Sequence, residues 1–237
     1  MKFKDARSTE TLTGDVADGM VWYAAYGSNL CRERFLTYIR GGRYAGKPSD
    51  EREPGCPDGH RDPPQGEAPI LIPHRLYFAG DAPGWGGGGV AFVDTARDDA
   101  ARTYGRMFRV TRRQFEEVLR QENDYAERVT VTLERLTAPG DRLDVGPDGR
   151  YRRVLYLGQR DGVPVVTFTA SLSGPSGSTA VPSLAYLRTI VRGLAETYAD
   201  LTADEATAYL AHALGPLRVP DQLATLVSQT LGVTRHR

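Results

Sequence analysis

The chain has 237 residues, 40% of them hydrophobic and 25% charged, with 30 basic side chains balanced by 30 acidic ones. That length suits one globular domain with a sizeable core and irregular appendages rather than two full domains. The charge balance excludes a global positive field that would draw nucleic acid or an anionic membrane, so neither is an expected partner.

Residues 1–19 are polar and without period, which predicts a tail ahead of a single domain spanning 20–237. The first fifteen residues lack the apolar core of a signal peptide, and no stretch approaches the ~20 apolar residues of a membrane span. Cys31 and Cys56 stand outside any CxxC pair and away from histidine at metal-ligand spacing. A cytoplasmic protein with reduced thiols follows as the expectation.

Val21–Tyr26 is a short aromatic and apolar run that ends at Gly27, as a buried strand entering a sharp turn does. A helix capped by Asn29 is expected next, because Cys31, Phe35, Tyr38 and Ile39 fall on one stripe before Gly41-Gly42. From Arg43 to Pro69 the sequence is dominated by Gly, Pro and charge and is too long for an ordinary connection, which reads as a disordered insertion or a functional lid. Strands are predicted at Ile70–Phe78, Val90–Val93, Tyr104–Val110, Arg128–Leu136, Tyr151–Leu157 and Val163–Thr169. The last third has helical spacing at Leu184–Tyr198, Thr202–Leu214 and Asp221–Leu231, with residues 215–237 forming a C-terminal extension.

Two places carry chemistry. A strand turning through Gly27 into a helix aims unpaired N–H groups and the positive end of a helix dipole at one spot, which suits a carboxylate or phosphate. Ser28 and Asn29 can cap the helix or donate to the ligand, although this pattern taken alone is more often a plain capped turn. It also lacks the lysine of a Walker loop.

The second place is a helix opened by the capping box Thr111 and Gln114 and running through Asn123. Phe115, Val118, Leu119 and Glu122 stand at i, i+3, i+4 and i+7, so Glu122 points inward, while Glu116 and Glu117 fall off the stripe and read as solvated surface charges. A buried carboxylate has its pKa raised towards the range a general acid/base needs. The alternative is a glutamate at a frayed helix end that reaches water or pairs with a buried arginine.

Together these elements resemble the gamma-glutamylcyclotransferase-like family, whose signature is an aromatic-rich strand entering Tyr-Gly-Ser-Asn-Leu. Here that is Trp22-Tyr23-Ala24-Ala25-Tyr26-Gly27-Ser28-Asn29-Leu30. Tyr77-Phe78, Trp85-Gly86-Gly87, Leu119-Arg120-Gln121-Glu122, Pro182-Ser183, Tyr186 and Gly193 follow in the family's order. The resemblance spans about Val21 to Leu210, broken by the insertion. It departs in having Asn123 where the family often has glycine, and in the helix beyond Leu214.

The resemblance implies an α+β fold, a small mixed β-barrel or curled sheet flanked by helices, here with extra C-terminal helices. It implies that Glu122 is the catalytic acid/base and that Tyr26, Gly27, Ser28, Asn29, Leu30, Gly87 and Tyr186 bind a small-molecule γ-glutamyl substrate. No metal and no cofactor is implied, and a homodimer is left open. A non-catalytic binding protein of the same fold is the competing reading. A metal-dependent deacylase is less favoured, because His60, His74, His212 and His236 are scattered along the chain. Cys31, on the apolar stripe of its helix, reads as an inert packed thiol.

Overall fold

Strand β1 (Met20–Ala25) delivers the Tyr26–Leu30 turn from the middle of a sheet. The computed structural model describes residues 19–171, 179–215, 217 and 220–235, so the tail expected over 1–19 lies outside it except for Gly19. After β1 come α1 (Arg32–Arg40), β2 (Gly66–Ile72), β3 (Leu76–Ala79), β4 (Val90–Val93), β5 (Thr103–Thr111) and α2 (Arg112–Glu122). Then follow β6 (Arg142–Asp144), β7 (Arg153–Arg160), β8 (Val163–Thr169), α3 (Leu184–Thr197), α4 (Ala203–Leu214) and α5 (Leu223–Arg235).

Six strands form one mixed sheet in the order β2-β5-β1-β8-β7-β6, and β3 pairs with β4 as a separate ribbon. β1 runs antiparallel to β5 and parallel to β8, with Tyr23 opposite Phe108 and Val166. The chain is therefore of the expected α+β class, and its sheet stays open between β2 and β6 instead of closing into a barrel. A bulge between Tyr156 and Gly158, with Gly158 at φ 121°, adds local twist to β7.

Central strands are buried on both faces, which is why β1 reads as an unbroken apolar run: Val21 to Tyr26 are all buried. Helices α1 and α2 pack over β1 through a cluster of rings. Phe35 stacks on Phe108 at 4.0 Å and Tyr23 on Phe168 at 5.0 Å, with Phe115 beside both Tyr23 and Phe168. The capping box expected at Thr111–Gln114 is formed, and Thr202 with Glu205 forms a second at the start of α4.

The predicted strand Ile70–Phe78 is two strands joined by a turn, and β2 begins inside the presumed insertion. Pro69 argues against a strand only where its missing N–H faces a neighbour; β2 is an edge strand, so the ladder to β5 tolerates it.

The strand expected at Arg128–Leu136 is absent. Val129 and Val131 are buried in alternation with exposed neighbours, yet no strand lies alongside, and the Val131 amide donates instead to Glu116 Oε1 at 2.9 Å. Burial alternation without a ladder partner gives an extended segment and a short 3-10 turn at Leu133–Arg135.

The reading of Glu116 and Glu117 as solvated charges is likewise corrected, because both are 3% exposed. Glu116 accepts from Arg112 at 3.2 Å as well as from Val131, and Glu117 bridges Arg113 at 2.7 Å and Arg120 at 2.8 Å. Helical periodicity sees the core side only, whereas this helix is covered on a second side by the 128–136 segment. Glu116→Ala is expected to destabilise the fold by about 2 kcal/mol, the cost of an unsatisfied buried amide, with Glu116→Gln retaining more stability in urea unfolding.

Candidate functional site

The residues singled out in the sequence converge on a cavity of about 50 Å³ lined by Tyr26, Gly27, Ser28, Asn29, Glu122 and Tyr186, together with Tyr23, Tyr38, Trp85, Ala91, Arg150 and Tyr151. It adjoins an outer cavity of about 460 Å³, with which it shares Tyr38, Trp85, Glu122 and Arg150. Leu30 and Gly87 line neither. Leu30 is fully buried under α3, and Gly87 belongs to the turn that carries Trp85, where its amide donates to Ala82 O at 3.1 Å.

The turn after β1 is a 3-10 turn, Ser28–Leu30, and α1 starts only at Arg32. Leu30 N–H closes it onto Gly27 O at 3.0 Å, so the amides of Gly27, Ser28 and Asn29 precede the first internal bond of the turn. Gly27 is needed for close approach: a Cβ there would stand 2.9 Å from Tyr186 Oη and 3.2 Å from Ala91 Cβ.

Asn29 does not cap α1, whose start at Cys31 has no side-chain cap. Its Nδ2 donates to Glu122 Oε1 at 2.7 Å and to Tyr23 Oη at 3.3 Å, while its Oδ1 is buried without a protein partner. The sequence-derived turn and glutamate, 93 positions apart, are thus joined by one hydrogen bond.

Glu122 ends α2 on the buried stripe of Phe115, Val118 and Leu119; it is half-buried and lines both cavities. Burial raises its pKa above the usual carboxylate range; the nearby Arg34 guanidinium and the bonds from Asn29 and Tyr38 pull the other way without cancelling it. Asn123, where the resemblance expected glycine, accepts from Tyr151 N at 2.7 Å and so anchors a cavity wall directly after the glutamate.

The tyrosines of the cavity are neutral hydrogen-bonding groups. Burial pushes the hydroxyls of Tyr23, Tyr26, Tyr38 and Tyr151 well up, and that of Tyr186 to about 12. Tyr26 spends its proton on Phe168 O at 2.7 Å. Tyr186 Oη accepts from Ala91 N at 3.0 Å and also meets Ser28 of the turn.

Tyr23, Tyr38, Arg34 and Arg150 also stand at the two cavities, beyond the residues that the sequence motifs mark. Tyr38 lies on the apolar stripe of α1, and the signal that sets it apart is an arginine four positions earlier, at the (i, i+4) spacing of helix neighbours. Cys31 is fully buried and its pKa is raised chiefly by burial, consistent with a packed thiol. No group of three or more histidine, cysteine or acidic side chains gathers among the described residues, and no helix there is long and apolar enough to cross a membrane.

No family model matches the chain. It is 34% identical over 209 residues to histone deacetylase 5 of Arabidopsis thaliana, a match covering 83% of this chain and 31% of that protein. The chain therefore spans about a third of the length of this curated relative. Among solved structures it is similar to a gamma-glutamyl cyclotransferase, with a TM-score of 0.47 and 14% identity over 89% of this chain and 99% of that one. It is also similar to an uncharacterised protein from Homo sapiens, with a TM-score of 0.45 and 15% identity over 88% of this chain and 98% of that one.

Proposed function

We propose that the chain cleaves γ-glutamyl amides by cyclisation, releasing 5-oxoproline and a free amine. The observation that carries this reading is the cavity carboxylate of Glu122, its pKa raised by burial, held by Asn29 of the turn that offers amides to an anionic head.

In such a substrate the α-amine is tethered to the γ-carbonyl it attacks, so the protein chiefly has to fold the glutamyl chain back on itself. The α-carboxylate is held by the amides of Gly27–Asn29, and the Tyr186 hydroxyl donates to the same end. Asn29 Oδ1, an unpaired buried acceptor, suits the α-ammonium. Glu122 takes the proton that the α-ammonium releases. The new N–C bond closes the five-membered ring, Glu122 returns the proton to the departing nitrogen as the amide C–N bond breaks, and the second proton shed by the ring nitrogen follows to the same amine, which leaves as an ammonium.

The outer cavity, lined partly by residues of the 43–69 segment such as Lys47 and Glu51, is the place for the departing amine. A panel of γ-glutamyl amides assayed for 5-oxoproline tests the proposal. Stoichiometric binding without turnover of any of them would favour the non-catalytic reading instead.

The plant relative's name raises cleavage of an acetylated lysine as a second reading. That match takes in 31% of the plant protein, and none of His60, His74 and His212 lines the cavity. An acetyl-lysine peptide in the same panel, with zinc present, distinguishes the two.

Glu122 must be ionised to accept a proton, so kcat/KM is expected to fall on acidification through a pKa above the ordinary ~4.3 of glutamate. In Asn29→Ala the carboxylate loses a hydrogen bond that favours its charged form, and this acid limb should move further up. A limb that stays put in the variant's pH profile would separate Asn29 from the base.

A further inference from the structure

The connection between α1 and β2 reaches into the electrostatics of the site through one side chain. Glu53 Oε1 accepts from Arg34 Nη1 at 2.7 Å, and this ion pair is nearly buried, with the Arg34 side chain 3% and the Glu53 side chain 14% exposed. The other amino group of Arg34, Nη2, donates to Tyr38 Oη, and the guanidinium carbon lies 4.1 Å over the Tyr38 ring. Arg34, Tyr38 and Glu53 line the outer cavity together with Glu122, and the Tyr38 hydroxyl favours the charged form of its carboxylate.

Glu53 is itself fixed. Its backbone bridges Gly42 in both directions, at 2.8 and 2.9 Å, just beyond the end of α1. Two residues of the same segment, Lys47 and Glu51, pair with each other over the outer cavity, and Ser49 N donates to Gly84 O at 3.3 Å.

The groups facing Glu122 are Tyr23 from β1, Arg34 and Tyr38 from α1, Glu53 from the connection, Arg150 and Tyr151 from the segment before β7, and Tyr186 from α3. Arg34 is the buried cation among them and the strongest opponent of the raised carboxylate pKa. Were it free to turn onto Glu122, the pair would form a charge-assisted bond and leave a weak base.

We propose that Glu53 is a positioning residue for Glu122: by clamping Arg34 it keeps the guanidinium on Tyr38, so that a neutral hydroxyl and not a full ion pair meets the carboxylate. The 43–69 segment is then part of the acid/base apparatus as well as a wall of the outer cavity. The inference rests on the proposed role of Glu122, and its test includes a readout that needs no turnover.

The experiment is a carbon-13 NMR titration of the side-chain carboxyls in glutamate-labelled protein, with the Glu122 signal assigned by its loss in Glu122→Gln, run alongside the pH dependence of kcat/KM. Glu53→Gln removes a negative charge and releases Arg34, so the Glu122 midpoint should move down. At neutral pH kcat should fall roughly tenfold while KM changes less than about threefold. Tyr38→Phe removes a hydrogen bond to the ionised form, so its midpoint should move up.

Shifts of opposite sign in two variants of the same neighbourhood are not produced by loosening the fold. An unchanged Glu122 midpoint in folded Glu53→Gln protein overturns the proposal. A midpoint that moves as expected in protein without 5-oxoproline release upholds the coupling and refutes the cyclisation reading. If Glu53→Gln does not fold, Arg34→Lys keeps the charge but loses the fork that spans Glu53 and Tyr38, and an unmoved Glu122 midpoint in it overturns the proposal equally.

Discussion

Glu122→Gln is expected to lower 5-oxoproline release by roughly 10²- to 10⁴-fold, the usual contribution of a positioned general acid/base, with the fold intact. Glutamine preserves the shape of the side chain and can still meet Asn29, but it cannot take the proton from the α-ammonium or pass one to the leaving amine. The loss should appear in kcat more than in KM, because the head of the substrate is held by the turn at Gly27–Asn29 and not by the glutamate.

The same variant makes a prediction about stability whose sign follows from the raised pKa. A carboxylate whose folded pKa lies above its unfolded value contributes stability at low pH, and that contribution disappears as pH rises through the folded pKa. The glutamine variant is uncharged throughout. Its melting temperature should therefore equal or exceed that of the parent at neutral pH, with the difference shrinking on acidification. Near-parental turnover, or a variant less stable at neutral than at acidic pH relative to the parent, would contradict the assignment.

Gly193→Ala is expected to disturb the site from the far side of the turn. A Cβ at Gly193 would stand 2.4 Å from the carbonyl carbon of Leu30 and 2.5 Å from Cys31 N, so α3 can pack on the Ser28–Leu30 turn only through a glycine. The obstructing atoms are backbone, which cannot swing aside as a side chain would. A cost of about 3 kcal/mol follows from such overpacking. In a chain of this size that lowers the melting temperature by about 6–12 °C.

The displaced element carries the amides offered to the substrate head, and Tyr186 sits two turns earlier on the same helix. KM for a γ-glutamyl amide should accordingly rise along with the loss of stability. Folded Gly193→Ala protein with parental stability and KM would mean that the close packing of α3 on the turn does not hold the site.

Much of this was legible in the sequence, for a physical reason common to the parts that were. Run length, period and capping are local: the unbroken buried runs of β1 and β8, the capping boxes at Thr111 and Thr202, and the stripe from Phe115 to Glu122 are each written within a dozen residues. The inward direction of Glu122 follows from 100° per residue and nothing else.

What depended on distant chain was not legible. Glu116 and Glu117 lie off the core stripe of α2, and their partners are Val131 and Arg112 for Glu116, and Arg113 and Arg120 for Glu117. Arg128–Leu136 has the burial pattern of a strand, but a ladder requires a neighbour that the topology does not supply.

Asn29 is a residue type that favours helix caps, yet α1 has no side-chain cap. The Asn29 amide instead reaches the glutamate, because β1 and α2 place the two ends of that bond together across the sheet. Glu53 sat in a run of prolines and charges with no period to interpret, and its burial against Arg34 comes from the return of that run to the end of α1.

By itself the sequence determined the turn at Gly27–Asn29 and the inward direction of Glu122, since each follows from local backbone preference and side-chain period, while the α+β class was what the family resemblance implied. Only the tertiary structure decided that the turn and the carboxylate share one hydrogen bond, that Tyr38 and Arg34 stand behind them, and that Glu53 from a seemingly patternless segment balances that arginine. Those are contacts between residues far apart in the chain, fixed by how sheet and helices pack and by the cost of leaving a buried charge unpaired.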